Sequence, residues 1–385
     1  MSEQNLIGLL VEKLDPSLPA IVHENAGQAL VDIVSSPSQA CALLVGQLES
    51  EETFQRLFDY INNSGNSKSA LFWGLQVIIE VVKRDIGDDH EFKTYPFESL
   101  PVYVQVSGNN LKGLVAILRN ENIEPLTTSV GTILPIGTHR LKVIEFFSAL
   151  LHKNYECVDT LFFDLGVFDV CLDMFFGYVW NNFLHAIVSD MILHFLDVRS
   201  PNQSVRLITD CKLADRICEA NESNMIDISK PKGFSRGYMG FVNRISNKLV
   251  EITESGQGPT SSFLKAYPRW IGYVQSDLQK QNSDSQILLG GQKPSNDEGN
   301  QSSSGDEDPG SVGMANNELV NVFTQYLVKQ GFTNDFPKDF LADEDEEYEE
   351  DEDGHGGIVF DKSFERVPEN AYSTGESVRY QFSLV

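Results

Sequence analysis

The chain has 385 residues, of which 41% are hydrophobic, so it is long enough and apolar enough to bury a substantial core. Its 56 acidic and 29 basic side chains give a formal net charge of -27. A charge of this sign repels a phosphate backbone, which argues against nucleic acid as a main partner.

The first residues of the chain bear on its location. Residues 1–5 are polar and lack a basic stretch followed by an apolar one, so we expect no secretory signal. No run approaches the roughly 18 apolar residues that a membrane-spanning helix needs, so we expect no membrane insertion. The five cysteines are odd in number and widely spaced, which is typical of reduced thiols. The sequence therefore predicts a cytoplasmic location, with the nucleus as a second compartment.

Apolar residues recur at helical spacing from residue 6 to about residue 326. Several of these stripes are wide enough for a helix that is covered on two sides. Residues 95–106 differ, because they contain two prolines and alternate Val102, Val104 and Val106, and we expect a connector there. Stripes separated by short polar turns, in units of roughly 40 residues, predict an all-α armadillo/HEAT-like helical-repeat solenoid over residues 1–281.

The composition changes after residue 281. Residues 282–316 are rich in Ser, Gly, Asn, Asp and Glu, which predicts a flexible linker. A short amphipathic helix is expected over residues 317–334, followed by an acidic disordered tail over residues 335–385. Within the linker, Ser303 and Ser304 each have an acidic residue three positions later. We expect acidophilic kinases to phosphorylate both.

One segment resembles a catalytic motif. Residues 233–237 read GFSRG and fit the G-x-S-x-G elbow that carries a nucleophilic serine. That elbow needs a buried strand directly before the serine, whereas the preceding residues are polar and include Pro231. We therefore expect a glycine-rich loop that enters the helix around Val242.

Metal and cofactor motifs are also missing from the sequence. His185 and His194 are nine residues apart, which places them on opposite sides of a helix. The acidic run ending at Gly354 resembles a calcium loop, but its twelfth position is Phe360 instead of a bidentate glutamate. No phosphate-binding or dinucleotide-binding glycine motif occurs. The sequence predicts no cofactor, no metal and no catalytic residues.

A block of aromatic and amide residues precedes a strongly apolar helix. Asn181 or Asn182 can cap that helix by accepting from its free amide protons. We expect Trp180 and Phe183 to be core residues between two apolar helices, and a partner-binding surface is the alternative, since exposed aromatic clusters mark interfaces. The candidate residues are Tyr178, Trp180, Asn181, Asn182, Phe183 and His185.

These same residues carry a family resemblance. Residues 172–188 read LDMFFGYVWNNFLHAIV, which resembles the LDLFF-x-Y-x-WNNFLH-x-x-V signature of the SAPS family, the regulatory subunits of protein phosphatase 6 and its fungal equivalent. NAGQAL at residues 25–30, GYMG at 237–240 and NRISN at 243–247 agree in order. Family members usually begin with a longer helical region, so we expect this chain to lack the N-terminal part.

The resemblance implies a non-catalytic helical-repeat platform. Such a platform binds a serine/threonine phosphatase catalytic subunit, directs it to substrates and recruits ankyrin-repeat proteins. The alternative function is that of an acidic helical-repeat adaptor in trafficking or nuclear transport, with no phosphatase. Co-purification with a phosphatase catalytic chain separates the two.

Overall fold

The computed structural model describes residues 5–65, 67–84, 92–120, 123–128, 131–256 and 258–286. The chain divides into two units, Met1–Asn296 and Asp297–Val385, and every described residue lies in the first. Ser303, Ser304, the predicted short helix and the predicted acidic tail lie outside the described residues.

The first unit is built almost entirely from α-helices. Their bounds are α1 (Leu6–Glu12), α2 (Ala20–Ser35), α3 (Gln39–Leu48), α4 (Glu51–Asn62), α5 (Lys68–Arg84), α6 (Val102–Arg119), α7 (Thr138–Leu151), α8 (Glu156–Asp164), α9 (Val167–Gly177), α10 (Asn182–Val198), α11 (Pro201–Thr209), α12 (Leu213–Ile228), α13 (Met239–Ser255), α14 (Gly258–Lys265), α15 (Pro268–Tyr273) and α16 (Gln279–Ser285). No helix in these ranges is both long and apolar enough to cross a bilayer.

Four short elements complete the described part of the unit. Strands β1 (Leu126–Thr128) and β2 (Gly131–Ile133) form an antiparallel pair in which Leu126 faces Ile133. A 3-10 turn covers Phe97–Ser99, and a π-helical turn covers Val274–Leu278. The strand pair lies directly before α7 and so shapes the entrance to that helix.

One layer contains α2, α5, α7, α10 and α13, which lie side by side. Residues later in one helix contact residues later in the neighbouring helix, so these helices run parallel. The contacts that show this are His23 with Ser69 and Gly27 with Trp73, Gln76 with Lys142 and Lys83 with Glu145, and His185 with Phe241 and Asp197 with Lys248. Parallel stacking of equivalent helices is the arrangement expected of a repeat array.

A second layer contains α4, α6 and α9, which also pack in series. Each helix of the second layer packs against the helix that follows it in the chain. The pairs are α4 with α5, α6 with α7 and α9 with α10, and α12 packs in the same way on α13. These hairpins confirm the predicted helical solenoid. The pairs begin at Glu51, Val102, Val167 and Leu213, so the units are longer than the expected 40 residues. The strand pair and α8 lengthen the unit that begins at Val102, and α11 lengthens the unit that begins at Val167.

Phenylalanine side chains fill much of the space between the layers. They are fully or almost fully buried and meet edge to face at centroid distances of about 5–6 Å. Truncating one such ring typically costs about 3–5 kcal/mol of stability, so this seam is a main source of stability for the unit. The seam comprises Phe54, Phe58, Phe146, Phe147, Phe162, Phe168 and Phe195.

The structure corrects the prediction for residues 95–106. Helix α6 begins at Val102, directly after Pro101, so the three alternating valines are helical. Three residues are too few to separate a period of two from one face of a helix, and the stripe continues as Leu111 and Leu114, both buried. At the other end of the unit, α16 continues to Ser285, past the predicted end of the solenoid at residue 281.

Candidate partner-docking surface

Three loops meet at one edge of the layer of parallel helices. Because α7, α10 and α13 run in the same direction, the loops that precede them lie at the same end. These loops cover residues 134–137, 178–181 and 229–238. Functional residues are often found on loops that a rigid scaffold positions, so this edge is the first place to look for a site.

Large apolar side chains on these loops, and on the residues next to them in β2 and α10, are exposed to solvent. The exposed fraction is 59% for Trp180, 76% for Phe183 and 65% for Phe234, and Ile133 and Leu134 are exposed as well. The Trp180 and Phe234 rings contact each other, with their centroids 5.3 Å apart. We call the surface formed by Ile133, Leu134, Trp180, Phe183 and Phe234 the apolar edge.

The expectation that Trp180 and Phe183 are core residues is wrong. In α10 the buried face is formed by Leu184, Val188 and Ile192, whereas Phe183 shares its face with Ala186 and Asp190, which are exposed. Trp180 precedes the helix and lies on the loop. Both rings are therefore available to a partner.

A groove lies between residues 133–136, which begin at the end of β2, and residues 177–183, which form the aromatic block. Its volume is about 710 Å³, and it is open to solvent. Its lining is mainly apolar and comes from two sequence segments. The lining residues are Ile133, Leu134, Pro135, Ile136, Gly177, Tyr178, Val179, Trp180, Asn181, Asn182 and Phe183.

A groove of this size has room for several side chains of a partner protein. Its apolar lining favours aromatic or aliphatic side chains over charged ones.

The backbone at the apolar edge is fixed by an N-terminal helix cap. The side-chain Oδ1 of Asn181 accepts a hydrogen bond from the backbone N–H of Leu184 at 3.0 Å, which confirms Asn181 as the capping residue of α10. Asn182 is the first residue of the helix and is exposed. The cap sets the position at which the chain turns from Trp180 into Phe183.

Tyr178 connects the aromatic block to the preceding repeat. The buried guanidinium of Arg140 donates a hydrogen bond to the Tyr178 hydroxyl at 2.8 Å and another to the carbonyl oxygen of Leu118 at the end of α6. The Arg140 guanidinium carbon also lies 6.0 Å from the centre of the Tyr178 ring. Tyr178 is half-buried and serves to position the loop.

His185 lies beneath the apolar edge and has no exposed surface. Its ring is surrounded by those of Phe175, Tyr238 and Phe241, with centroids 5.0, 5.8 and 5.8 Å away. Burial lowers the pKa of His185, and the nearby backbone groups of Tyr178 and Phe175 offset this only in part. His185 is therefore a core residue with a neutral imidazole. This agrees with the first of the two interpretations of the aromatic block, in which its residues belong to the core.

The loop that carries Phe234 is held by polar contacts to α12. Asn224 accepts hydrogen bonds from the Ser235 hydroxyl at 3.2 Å and from the backbone N–H of Arg236 at 2.7 Å. The Arg236 side chain donates to Asp227 at 2.7 Å. The loop leads into α13, as predicted. Ser235 donates to an amide oxygen, which cannot act as the general base that a nucleophilic serine needs.

Phe234 was not predicted as a candidate site residue from the sequence, because its segment was interpreted only as a possible catalytic motif. The available signal was a single phenylalanine within the polar run KPKGFSRG. Elsewhere in the described part of the chain, no group of three or more His, Cys, Asp or Glu side chains is placed to hold a metal ion. The apolar edge is therefore the candidate site that the geometry supports.

A helical-repeat array with an exposed apolar edge has the architecture of a protein-binding scaffold. The chain belongs to the SAPS family, because the family model described as SIT4 phosphatase-associated protein matches residues 1–161 and 158–287. This confirms the resemblance seen in the WNNFLH block.

Curated relatives support the same assignment. The chain is 30% identical over 410 residues to chicken (Gallus gallus) serine/threonine-protein phosphatase 6 regulatory subunit 3, an alignment that covers 94% of this chain and 46% of the relative. It is 26% identical to human (Homo sapiens) serine/threonine-protein phosphatase 6 regulatory subunit 1, with coverage of 75% and 38%. The chain thus spans less than half the length of these relatives. No solved structure matches it significantly.

Proposed function

We propose that the chain is a non-catalytic regulatory subunit that binds a serine/threonine phosphatase catalytic subunit through the apolar edge and directs it to substrates. The observation that carries this proposal is the exposure of Trp180, Phe183 and Phe234 on a rigid scaffold. The names of the relatives supply the identity of the partner.

The chemistry of the apolar edge suits a protein partner. Tryptophan and other aromatic side chains are enriched among the residues that dominate binding energy, and an exposed aromatic cluster is costly to keep in water unless a partner covers it. The residues of the cluster come from three successive repeats, so a partner bound there would contact all three repeats. A rigid edge also loses little conformational entropy on binding.

The further parts of the proposal concern location and additional partners. We place the protein in the cytoplasm, with the nucleus as a second compartment, and we include ankyrin-repeat proteins among its partners. The location follows from the sequence pattern, and the ankyrin-repeat partners follow from the family resemblance.

Co-purification tests the proposal against the adaptor alternative. The tagged chain is expressed in cells, purified and analysed by mass spectrometry for phosphatase catalytic subunits. We expect a serine/threonine phosphatase catalytic chain in stoichiometric amount. Recovery of transport or trafficking proteins with no phosphatase would favour the adaptor instead.

The non-catalytic part of the proposal has its own test. Ser235→Ala should leave any ester hydrolysis in the purified sample unchanged, because the Ser235 hydroxyl has an amide oxygen as its partner. Turnover of a chromogenic ester by both proteins measures this. Loss of turnover in the variant would identify Ser235 as a nucleophile and overturn the non-catalytic assignment.

A further inference from the structure

The connection between α2 and α3 contains an unusual dipeptide in an extended conformation. Ser–Pro occurs only twice in the sequence, at Ser36–Pro37 and at Ser200–Pro201. Ser36 has φ -75° and ψ 130°, and Ser38 has φ -64° and ψ 136°, so the backbone around Pro37 is extended. We propose that Ser36 is a phosphorylation site for a proline-directed kinase and that Lys83 and Arg84 bind the resulting phosphate.

The position of Ser36 beside these two basic residues follows from the register of α2 and α5. His23 contacts Ser69 and Gly27 contacts Trp73, and the two helices run parallel from there. At the far end Ser36 lies beside the last turn of α5. A cavity of about 410 Å³ is lined there by Ser36, Lys83 and Arg84, together with Val34, Ser35, Pro37, Ser38, Ala42 and Glu80.

Both basic side chains have partners that a phosphate can replace. Arg84 lies 3.7 Å from the Glu49 carboxylate, which is a loose ion pair between partly exposed groups. Lys83 lies 3.2 Å from Glu145, but the same carboxylate has a closer partner in Lys142, at 2.5 Å. Exposed pairs of this kind contribute little, whereas a phosphate offers two negative charges and three acceptor oxygens.

Glu80 is the acidic side chain that lines the same cavity, and its charge opposes a phosphate. Its Oε1 accepts a hydrogen bond from the Gln76 amide at 2.9 Å, one turn earlier on α5. Glu80 is therefore held by a neighbour on its own helix. Glu49 and Glu145 also face the two cations, so a phosphate with two negative charges binds by displacing these singly charged partners.

A kinase can reach Ser36 because the segment after it is weakly held. In α3 the buried residues Val45 and Leu48 lie in the second half, whereas Gln39, Ala42 and Leu43 in the first half are exposed. Unfolding of the first turn of α3 therefore disrupts little packing and leaves an extended segment on both sides of Pro37. Kinases act on extended segments of this kind.

The chemical step requires ATP and the kinase. The Oγ atom of Ser36 attacks the γ-phosphorus of ATP, and the bond to the oxygen that bridges the β- and γ-phosphorus atoms breaks. ADP leaves, and the hydroxyl proton passes to the catalytic carboxylate of the kinase. The product is a phosphoserine beside Lys83 and Arg84.

Ser200 is a natural control, because its environment differs. Its side chain forms a capping box with Gln203 at the start of α11. Pro201 is held by α14, since its carbonyl oxygen accepts a hydrogen bond from the Thr260 hydroxyl at 3.1 Å. Modification of Ser200 would disrupt the cap, so we expect Ser200 to resist the kinase.

The first experiment measures the site of modification. The purified chain is incubated with ATP and a proline-directed kinase, with a peptide of residues 30–43 as the positive control, and the phosphate is mapped by mass spectrometry. We expect one phosphate at Ser36, its loss in Ser36→Ala and its retention in Ser200→Ala. Phosphate at Ser200, or phosphorylation of the peptide with none on the folded chain, would overturn the assignment.

The second experiment tests Lys83 and Arg84 as the phosphate-binding pair. Because charge-assisted hydrogen bonds form only in the modified protein, its thermal midpoint should rise by about 2–4 °C. Lys83→Ala/Arg84→Ala should lose this rise, whereas Lys68→Ala, at the opposite end of α5, should keep it. An unchanged or lower midpoint on phosphorylation, or a rise that survives the double substitution, would contradict the role of this pair.

Discussion

Asp159 of α8 and Arg199, the residue that follows α10, form a buried ion pair in which Nε lies 2.7 Å from Oδ2 and Nη2 lies 2.9 Å from Oδ1. The exposed fraction of these side chains is 6% and 0%. Arg199 also donates to the Asn154 side chain at 2.5 Å and to the Leu151 carbonyl oxygen at 3.1 Å. One guanidinium thus joins the end of α7, the start of α8 and the end of α10.

Removal of the Arg199 charge should be strongly destabilising. Arg199→Met leaves Asp159 buried without its partner, and a loss of about 3–5 kcal/mol in the free energy of unfolding is typical of such a change. Denaturant unfolding followed by circular dichroism measures it. In Asp159→Asn/Arg199→Met both charges are absent, so this variant should recover part of the loss. Equal stability of the wild type and Arg199→Met would show that the pair contributes nothing.

The stability of the protein should fall in mild acid because of His185. Burial lowers the pKa of His185 below its ordinary value of 6.5, so the unfolded chain takes up a proton more readily than the folded one. Its contribution is complete above about pH 6.5 and is lost as the pH falls towards the folded pKa. His185→Leu should therefore show a smaller drop in thermal midpoint between pH 7.5 and pH 5.5 than the wild type.

His152 provides a control with the opposite sign. Burial lowers its pKa, but the hydrogen bonds to Asp190 and to the Ser148 carbonyl, together with the charge of Asp190, outweigh burial, and the net pKa of His152 is raised. This residue stabilises the fold below about pH 6.5 and loses that effect as the pH rises through its folded pKa. His152→Leu should therefore enlarge the acid-induced drop. A His185→Leu variant with the same pH profile as the wild type would contradict the buried, neutral state of His185.

Gly237 allows two loops of the apolar edge to approach each other. A methyl group at this position would lie 2.7 Å from the carbonyl oxygen of Val179 and 3.0 Å from the Trp180 ring. Gly237→Ala should therefore displace Trp180 from Phe234 and shift the tryptophan fluorescence. Gly240→Ala is the matched control, because a methyl group there meets nothing within 4 Å. Identical emission spectra for Gly237→Ala and the wild type would show that the contact is not tight.

The sequence predicted the fold well because each long helix carries its own apolar stripe. Leu184 and Val188 could be assigned to a buried face from spacing alone, and Asn181 could be assigned as a cap from its residue type and position. The exposure of Trp180 and Phe183 could not be predicted in this way. It depends on which neighbouring helices cover α10, and spacing within one helix does not contain that information.

The apolar edge was hidden from the sequence for a related reason. Leu134, Trp180 and Phe234 belong to three loops that are about 50 residues apart in the chain. They meet only because α7, α10 and α13 run parallel in one layer. A regular motif at fixed spacing would have shown this relationship, but the insertion of α8 and α11 makes the repeats unequal in length.

The affinity for a purified phosphatase catalytic subunit tests the role of the apolar edge most directly. Trp180→Ala and Phe183→Ala should each weaken binding about 10-fold or more, the effect of losing an interface residue worth at least 1.4 kcal/mol, with little change in thermal midpoint. Leu43→Ala is the control, because Leu43 is 74% exposed, like Phe183 at 76%, but lies on α3. It should bind like the wild type. Undiminished affinity in both aromatic variants would contradict the proposed docking surface.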